Sequence, residues 1–215
     1  MKITAVHTYA LSYPVAVPFA NSRMWNRART ASVVEVVTDA GISGWGEATR
    51  MPSQRSLDHH VIGKDPFDRE PILNGLNAFG KGDIAAISAV DIALWDIAGK
   101  ALGQPIYQLI GGACRDAVPA YASGLFKMEG ADHAAALRDE ARGYVDMGFA
   151  AVKMKIGYGA ACDERIVRAV REAIGPDILL AVAANCAYDV GTALAAGYRI
   201  ADCDLYWYEE QVAPE

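Results

Sequence analysis

Cysteine is scarce in this chain. There are four in 215 residues, Cys114, Cys162, Cys186 and Cys203, and none sits at a paired spacing. That argues against a zinc site or a disulfide framework, and for free thiols in a reducing, cytoplasmic setting. Long apolar runs are missing as well. No stretch reaches the about 18 residues of a membrane span. Met1 to Val6 alternates like a strand and lacks the apolar centre of a signal peptide. There is no basic run, and the formal net charge is −6, so nucleic acid is not the expected partner. An acidic chain can still hold an anionic substrate in a local basic pocket.

Against that background one stretch stands out. Ala150 to Ile156 is a short, nearly continuous apolar run interrupted by Lys153 and Lys155, with Gly148 before it and Gly157 after it. Such a run reads as a buried strand of a parallel sheet. Side chains two apart on a strand share a face. The two lysines therefore point one way, and Val152, Met154 and Ile156 the other. Paired ammonium groups on a buried strand depress one another's pKa, and burial depresses both further. That is one route to a lysine base near neutral pH. The plainer alternative is an edge strand with two solvated lysines, and the strand alone does not separate the two.

The chain divides by pattern. Residues 1 to 115 carry strands first and helices after. Strands are expected at 1–12, 30–38 and 42–48, with a two-proline loop, Tyr13 to Asn26, between the first two. A helix ends at Ile62. Asp65-Pro66 opens the next as N-cap and first helical residue. Ile84 to Leu102 is a helix with an apolar stripe of Ile84, Ile87, Val90, Leu94, Ile97 and Leu102, closed by Gly103 and Pro105. From residue 116 strands and helices alternate. Strands at 118–123, 150–156, 178–184 and 205–209 are separated by helices at 132–147, 163–174 and 190–201. Such alternation predicts a parallel sheet with right-handed crossovers. Lys153, Lys155, Ala183, Asn185 and Glu209 fall at strand C-terminal ends, where a (β/α)8 barrel keeps its chemistry.

Several motifs, taken in order, resemble one family. They are GWGE (Gly44 to Glu47), IGKDPFD (Ile62 to Asp68), SAVDIALWDIAGKALGQPIYQLIGG (Ser88 to Gly112), VKMKIG (Val152 to Gly157) and YWYEE (Tyr206 to Glu210). Each is weak by itself; the ordered set is similar to the mandelate racemase/muconate lactonizing enzyme branch of the enolase superfamily. AYASGLF (Ala120 to Phe126) and AVREAIGPD (Ala169 to Asp177) resemble its acid-sugar cycloisomerases. The resemblance implies an α/β protein with an enolase-like α+β N-terminal capping domain at 1–115. An incomplete (β/α)8 barrel of about four strands follows at 116–215.

It also implies chemistry: magnesium-assisted removal of the proton alpha to a carboxylate, in racemisation or cycloisomerisation of a sugar acid or lactone. By position Lys155 would be the base, and Lys153 would tune it and meet the substrate carboxylate. Glu209 would be a metal ligand. Asn185, Arg23, Trp25 and Arg50 would contact substrate, the last three from N-terminal loops. The family is often homo-oligomeric. The chain departs from the pattern at Val182-Ala183-Ala184-Asn185, where Ala183 stands in place of an Asp ligand, and at Gln211 after the two glutamates. A methyl group cannot coordinate a hard cation. The third ligand would fall beyond Glu215. The expectation is therefore a chain inactive by itself. The rivals are acid-sugar dehydration and a non-catalytic fragment or decayed paralogue.

Overall fold

Helix α3, Ile84–Leu102, is the spine of the first half of the chain in the computed structural model, which describes residues 1–80, 82–129 and 132–214. The Asp83 side chain accepts from the Ala85 amide at 3.0 Å at its start, and Gly103 closes it at φ +62°. The sequence supplies both signals, and the helix begins and ends where they predict. Its buried face mixes four alanines, Ala85, Ala86, Ala89 and Ala93, with Val90, Leu94 and Ile97. Ile84 and Leu102, expected in the apolar stripe, are exposed. Alanine is too weakly apolar to mark a face by periodicity, yet it is the residue that allows close approach. Strand β3 (Ser43–Ala48) packs there. A Cβ at Gly46 would stand 1.9 Å from the Ala89 carbonyl oxygen, and one at Gly44 2.0 Å from that of Ala93. The two glycines of GWGE are therefore sites of backbone contact.

In this unit β2 (Trp25–Thr38) pairs antiparallel with β3, and β1 (Ile3–Ala20) lies on the other side of β2. Helices α1 (Gln54–Val61) and α2 (Arg69–Leu76) add Leu57, Val61, Ile72 and Leu76 to the core. α2 begins at Arg69, with Asp68 as N-cap, and not at Asp65-Pro66. Asp65 instead accepts from the Phe67 amide at 3.0 Å, forming a local turn that holds the chain out of helical geometry. α4 is the short turn Ile106–Leu109.

The chain forms two units, residues 1–13 with 29–116, and 14–28 with 117–215. The sequence reading places Tyr13 to Asn26, as a loop, in the first. Residues 14–20 and 25–28 are instead the far ends of β1 and β2, joined by the turn at 21–24. They group with the second unit because Phe19 and Ala20 pair antiparallel with β5 (Lys127–Met128), a strand the sequence did not reveal. Proline's fixed φ suits extended chain, so Pro14 and Pro18 remove two donors without ending the strand.

The second unit carries four parallel strands in the order β4 (Ala122–Ser123), β6 (Ala151–Lys155), β7 (Leu179–Ala183) and β8 (Leu205–Glu209). Helices α5 (His133–Asp146), α6 (Ala160–Ile174) and α7 (Val190–Ile200) alternate with them. The strand expected at 118–123 is only two residues long, and Val118 is 74% exposed. Val152, Met154 and Ile156 share a buried cluster with Leu180, Val182 and Ala184. Leu137, Ile166, Val167 and Val170 of the helices complete it. The other face, by the two-residue period, carries Lys153 and Lys155, then Ala181 and Ala183. Among the described residues no helix is long and apolar enough to cross a membrane.

Candidate functional site

The strand ends of the second unit bring most of the expected residues together. Lys155 is in register with Ala183, and Ala183 with Glu209. One step earlier, Ser123, Lys153, Ala181 and Trp207 form a second row. Glu209 reaches this face through an irregularity. Leu180 pairs with Leu205, but Ala181 pairs with Trp207, so one extra residue is accommodated on β8. Without that bulge, Leu205 and Glu209 would share a face. With it, Leu205 packs on the helix side and Glu209 joins the lysines.

The two lysines have separate environments. Lys153 is 9% exposed, and its Nζ lies 2.6 Å from Glu209 Oε1. The Tyr121 ring centre is 5.9 Å from Nζ, and Tyr121 meets Trp207 edge to face at 5.4 Å. The hydrogen bond from Lys153 holds the Glu209 carboxyl below the usual carboxylate range. Lys155 is half-buried, with Nζ 5.9 Å from the Phe126 ring centre and no carboxylate at ion-pair distance among the described residues. Burial, and then the charge of Lys153, push its pKa down; Glu209 and Glu210 partly oppose the shift.

Asn185 follows β7 in left-handed backbone, φ +53°, and donates to Glu210 Oε2 at 3.0 Å. Its Oδ1 is buried with no partner among the described residues. Arg23 donates to the Cys186 carbonyl at 3.2 Å, and Ser22 to the Ala184 carbonyl at 2.6 Å, so the 21–24 turn is fastened to the segment that follows Ala183. Trp25, at the start of β2, belongs to the same unit and is exposed. Arg50 belongs to the first unit, where its guanidinium is 2.8 Å from Asp83.

Sequence reasoning missed Asp163 and Tyr188. Asp163 is fully buried in the first turn of α6. Its carboxylate accepts from the amides of Gly157 and Tyr158, at 3.0–3.1 Å, and from the Tyr188 hydroxyl. It thereby ties the loop after β6 to the loop after β7. Burial raises its pKa, and its donors hold the rise back. The available signal was an acidic residue in a first helical turn after a glycine-bounded loop.

Magnesium, which the resemblance implies, wants several oxygen ligands. The donor set here does not fit it. The position beside Glu209 offers a methyl group, and Glu209 itself is ion-paired to Lys153. No three His, Cys, Asp or Glu side chains converge among the described residues.

Residues 3–111 match the family described as "Mandelate racemase / muconate lactonizing enzyme, N-terminal domain", and residues 136–215 match "Enolase C-terminal domain-like". D-galactarolactone cycloisomerase of Agrobacterium fabrum is 40% identical, covering 100% of this chain and 60% of that protein. Arabinonate dehydratase of Saccharolobus solfataricus is 44% identical over 194 residues, covering 83% of this chain and 51% of that protein. The crystal structure of N-succinyl Arg/Lys racemase from Bacillus cereus superposes with a TM-score of 0.87 at 31% identity. It covers 99% of this chain and 60% of that one. The chain thus spans about 60% of the length of the first relatives it matches. These similarities agree with the fold read from the sequence, an α+β N-terminal domain followed by part of a β/α barrel.

Proposed function

The chain belongs to the mandelate racemase/muconate lactonizing enzyme family of the enolase superfamily, and from that premise we propose that its strand-end site binds the carboxylate of a sugar acid or its lactone and exchanges the proton on the adjacent carbon through Lys155. The observation that carries this reading is the division of labour between the two lysines. Lys153 is engaged by Glu209, whereas Lys155 has no acid partner among the described residues and sits half-buried beside Phe126. Burial and a neighbouring ammonium both favour the neutral amine, the form that accepts a proton. Lys153, ion-paired with Glu209, lies on the same face, where negative charge develops on the carboxylate oxygens as the proton leaves. The unpartnered Asn185 Oδ1 can accept from a sugar hydroxyl.

Isomerisation, as in the cycloisomerase and racemase relatives, is the first reading. Dehydration is the second, and the similarity to arabinonate dehydratase favours it. Both begin with the same proton transfer and differ in what leaves afterwards. The test is incorporation of solvent deuterium at the carbon beside the carboxylate, followed by proton NMR on D-galactarolactone and arabinonate. This reading expects exchange with the unmodified chain, against the inactivity expected from Ala183, and Lys155→Ala should slow it by about a hundredfold or more. A 2-keto acid product would select dehydration. No exchange on either compound would overturn the catalytic reading and leave the non-catalytic one, for which Ala183 is the argument.

A further inference from the structure

We propose that this site takes its ligand's carboxylate directly on lysine side chains, without a divalent cation, and that Glu209, the carboxylate expected to hold a metal, is committed instead to its ion pair with Lys153. The ligand class rests on the function proposed above; the absence of a metal requirement rests on geometry. Lys153 is on β6 and Glu209 on β8, with β7 between them. Adjacent strands are about 4.8 Å apart, so the two backbones are roughly twice that distance from each other. The side chains nevertheless meet at 2.6 Å, having crossed over β7. They can do so because β7 presents only Ala181 and Ala183 on that face. An aspartate at 183 would stand beneath the bridge and compete with Glu209 for Lys153. The methyl group at 183 thus leaves the path of the ion pair open.

The charges fit an anion. Lys153 balances Glu209, and Lys155 adds no negative charge to this face in either protonation state. At the rim, Glu210 and Arg23 cancel; they bind Asn185 and the Cys186 carbonyl, respectively. A monocarboxylate therefore meets lysine donors and no unpaired carboxylate on the face. A divalent cation would have to displace Lys153 from Glu209 and would find a methyl group beside it.

The experiment is calorimetric titration of the 215-residue chain with D-galactonate, once in EDTA and once in excess magnesium chloride. The dissociation constants are expected to agree within about twofold, well under the tenfold that 1.4 kcal/mol would produce. Lys155→Met should weaken binding about tenfold or more in both media, the worth of one hydrogen bond to a charged group. Glu209→Gln gives the sharper answer, because the two accounts predict opposite signs. If Glu209 only occupies Lys153, the variant frees an ammonium and tightens D-galactonate binding in EDTA. If Glu209 is a metal ligand, the variant weakens binding in magnesium. Circular dichroism before titration establishes that the variants are folded. Binding that needs magnesium, weaker binding in Glu209→Gln, or no binding in either medium would overturn the inference. Magnesium-dependent binding would leave the proposed proton exchange standing. Metal-independent binding without deuterium exchange would do the reverse.

Discussion

Small residues do opposite work in the two units. In the first, Gly44 and Gly46 of β3 let a strand backbone rest on the carbonyls of Ala93 and Ala89 in α3. The gain is apolar contact, and polar side chains stay at the margin: Arg69 on Asp91 at 2.7 Å, and Lys100 on Asp96 at 2.6 Å. In the second, Ala181 and Ala183 leave room above β7, and an ion pair crosses through it. The same economy of side-chain volume packs a core in one place and clears a path for charge in the other. A core position penalises any added atom. A site position tolerates, and even holds, residues that cost stability.

The comparison is broken most forcefully at Gly46. An added methyl group would sit 1.9 Å from the Ala89 carbonyl oxygen, which belongs to the helix backbone and cannot rotate away. Strand and helix must separate, opening the interface that buries Val34, Val36, Val90 and Leu94. Gly46→Ala is expected to cost about 3 kcal/mol, the upper part of the usual range for overpacking. Urea denaturation measures it. A loss below about 1 kcal/mol, an ordinary surface effect, would mean that the helix and strand slide freely, and that the first unit is not the tightly specified one.

Much of this division was legible in the sequence. Asp83 and Gly103 bracket α3, and the alternation after residue 116 gave the strand order β4-β6-β7-β8. What escaped has physical causes. An alanine face carries little hydrophobic signal, so the stripe of α3 was drawn through exposed Ile84 and Leu102. Pro14 and Pro18 read as loop punctuation, although they lie in a strand that continues to Ala20. In the site, the lysine rows follow from the strand period, and Glu209 falls at a strand end with no partner named for it. The choice of Lys153 depends on a bulge in β8 that no local pattern announces. Asp163 and Tyr188 find each other across 25 residues, a contact that only the folded chain defines.

That buried pair provides a second, smaller test. Asp163 has its pKa raised by burial. Its folded value therefore lies above the about 3.9 of an unfolded aspartate. Between those values the folded chain holds more protons than the unfolded one, so this group's contribution to stability falls as pH rises through the window. Above it the carboxylate is ionised and depends on its three donors. Tyr188→Phe removes one and should cost about 1–2 kcal/mol at neutral pH. The cost should shrink as the pH is lowered through the folded pKa of Asp163 and the carboxyl becomes neutral. Urea melts at neutral and mildly acid pH measure both numbers. Equal costs at the two would show that the hydroxyl matters for packing and not for holding the charge.

The smallest effect expected has an unusual sign. Lys155 is half-buried beside Phe126, its charge is disfavoured first by burial and then by Lys153, and Glu209 only partly compensates. Its folded pKa is thus below the about 10.4 of an unfolded lysine. Between those values the folded chain binds fewer protons, so stability rises with pH through the window. Below it the charged side chain costs stability throughout. Methionine has nearly the same length, needs no solvation, and its sulfur is well received by an aromatic ring. Lys155→Met is therefore expected to stabilise the chain by roughly 0.5–1 kcal/mol at neutral pH, the scale typical of relieving a strained functional residue. The gain should fade as the pH climbs toward the lysine range, where the unmodified side chain loses its proton as well. Thermal melts of the two chains across neutral to alkaline pH give the comparison directly. A Lys155→Met chain that is less stable at neutral pH would mean that Lys155 supports the fold as the residues around Gly46 do, and the contrast between the two units would not extend to the strand end.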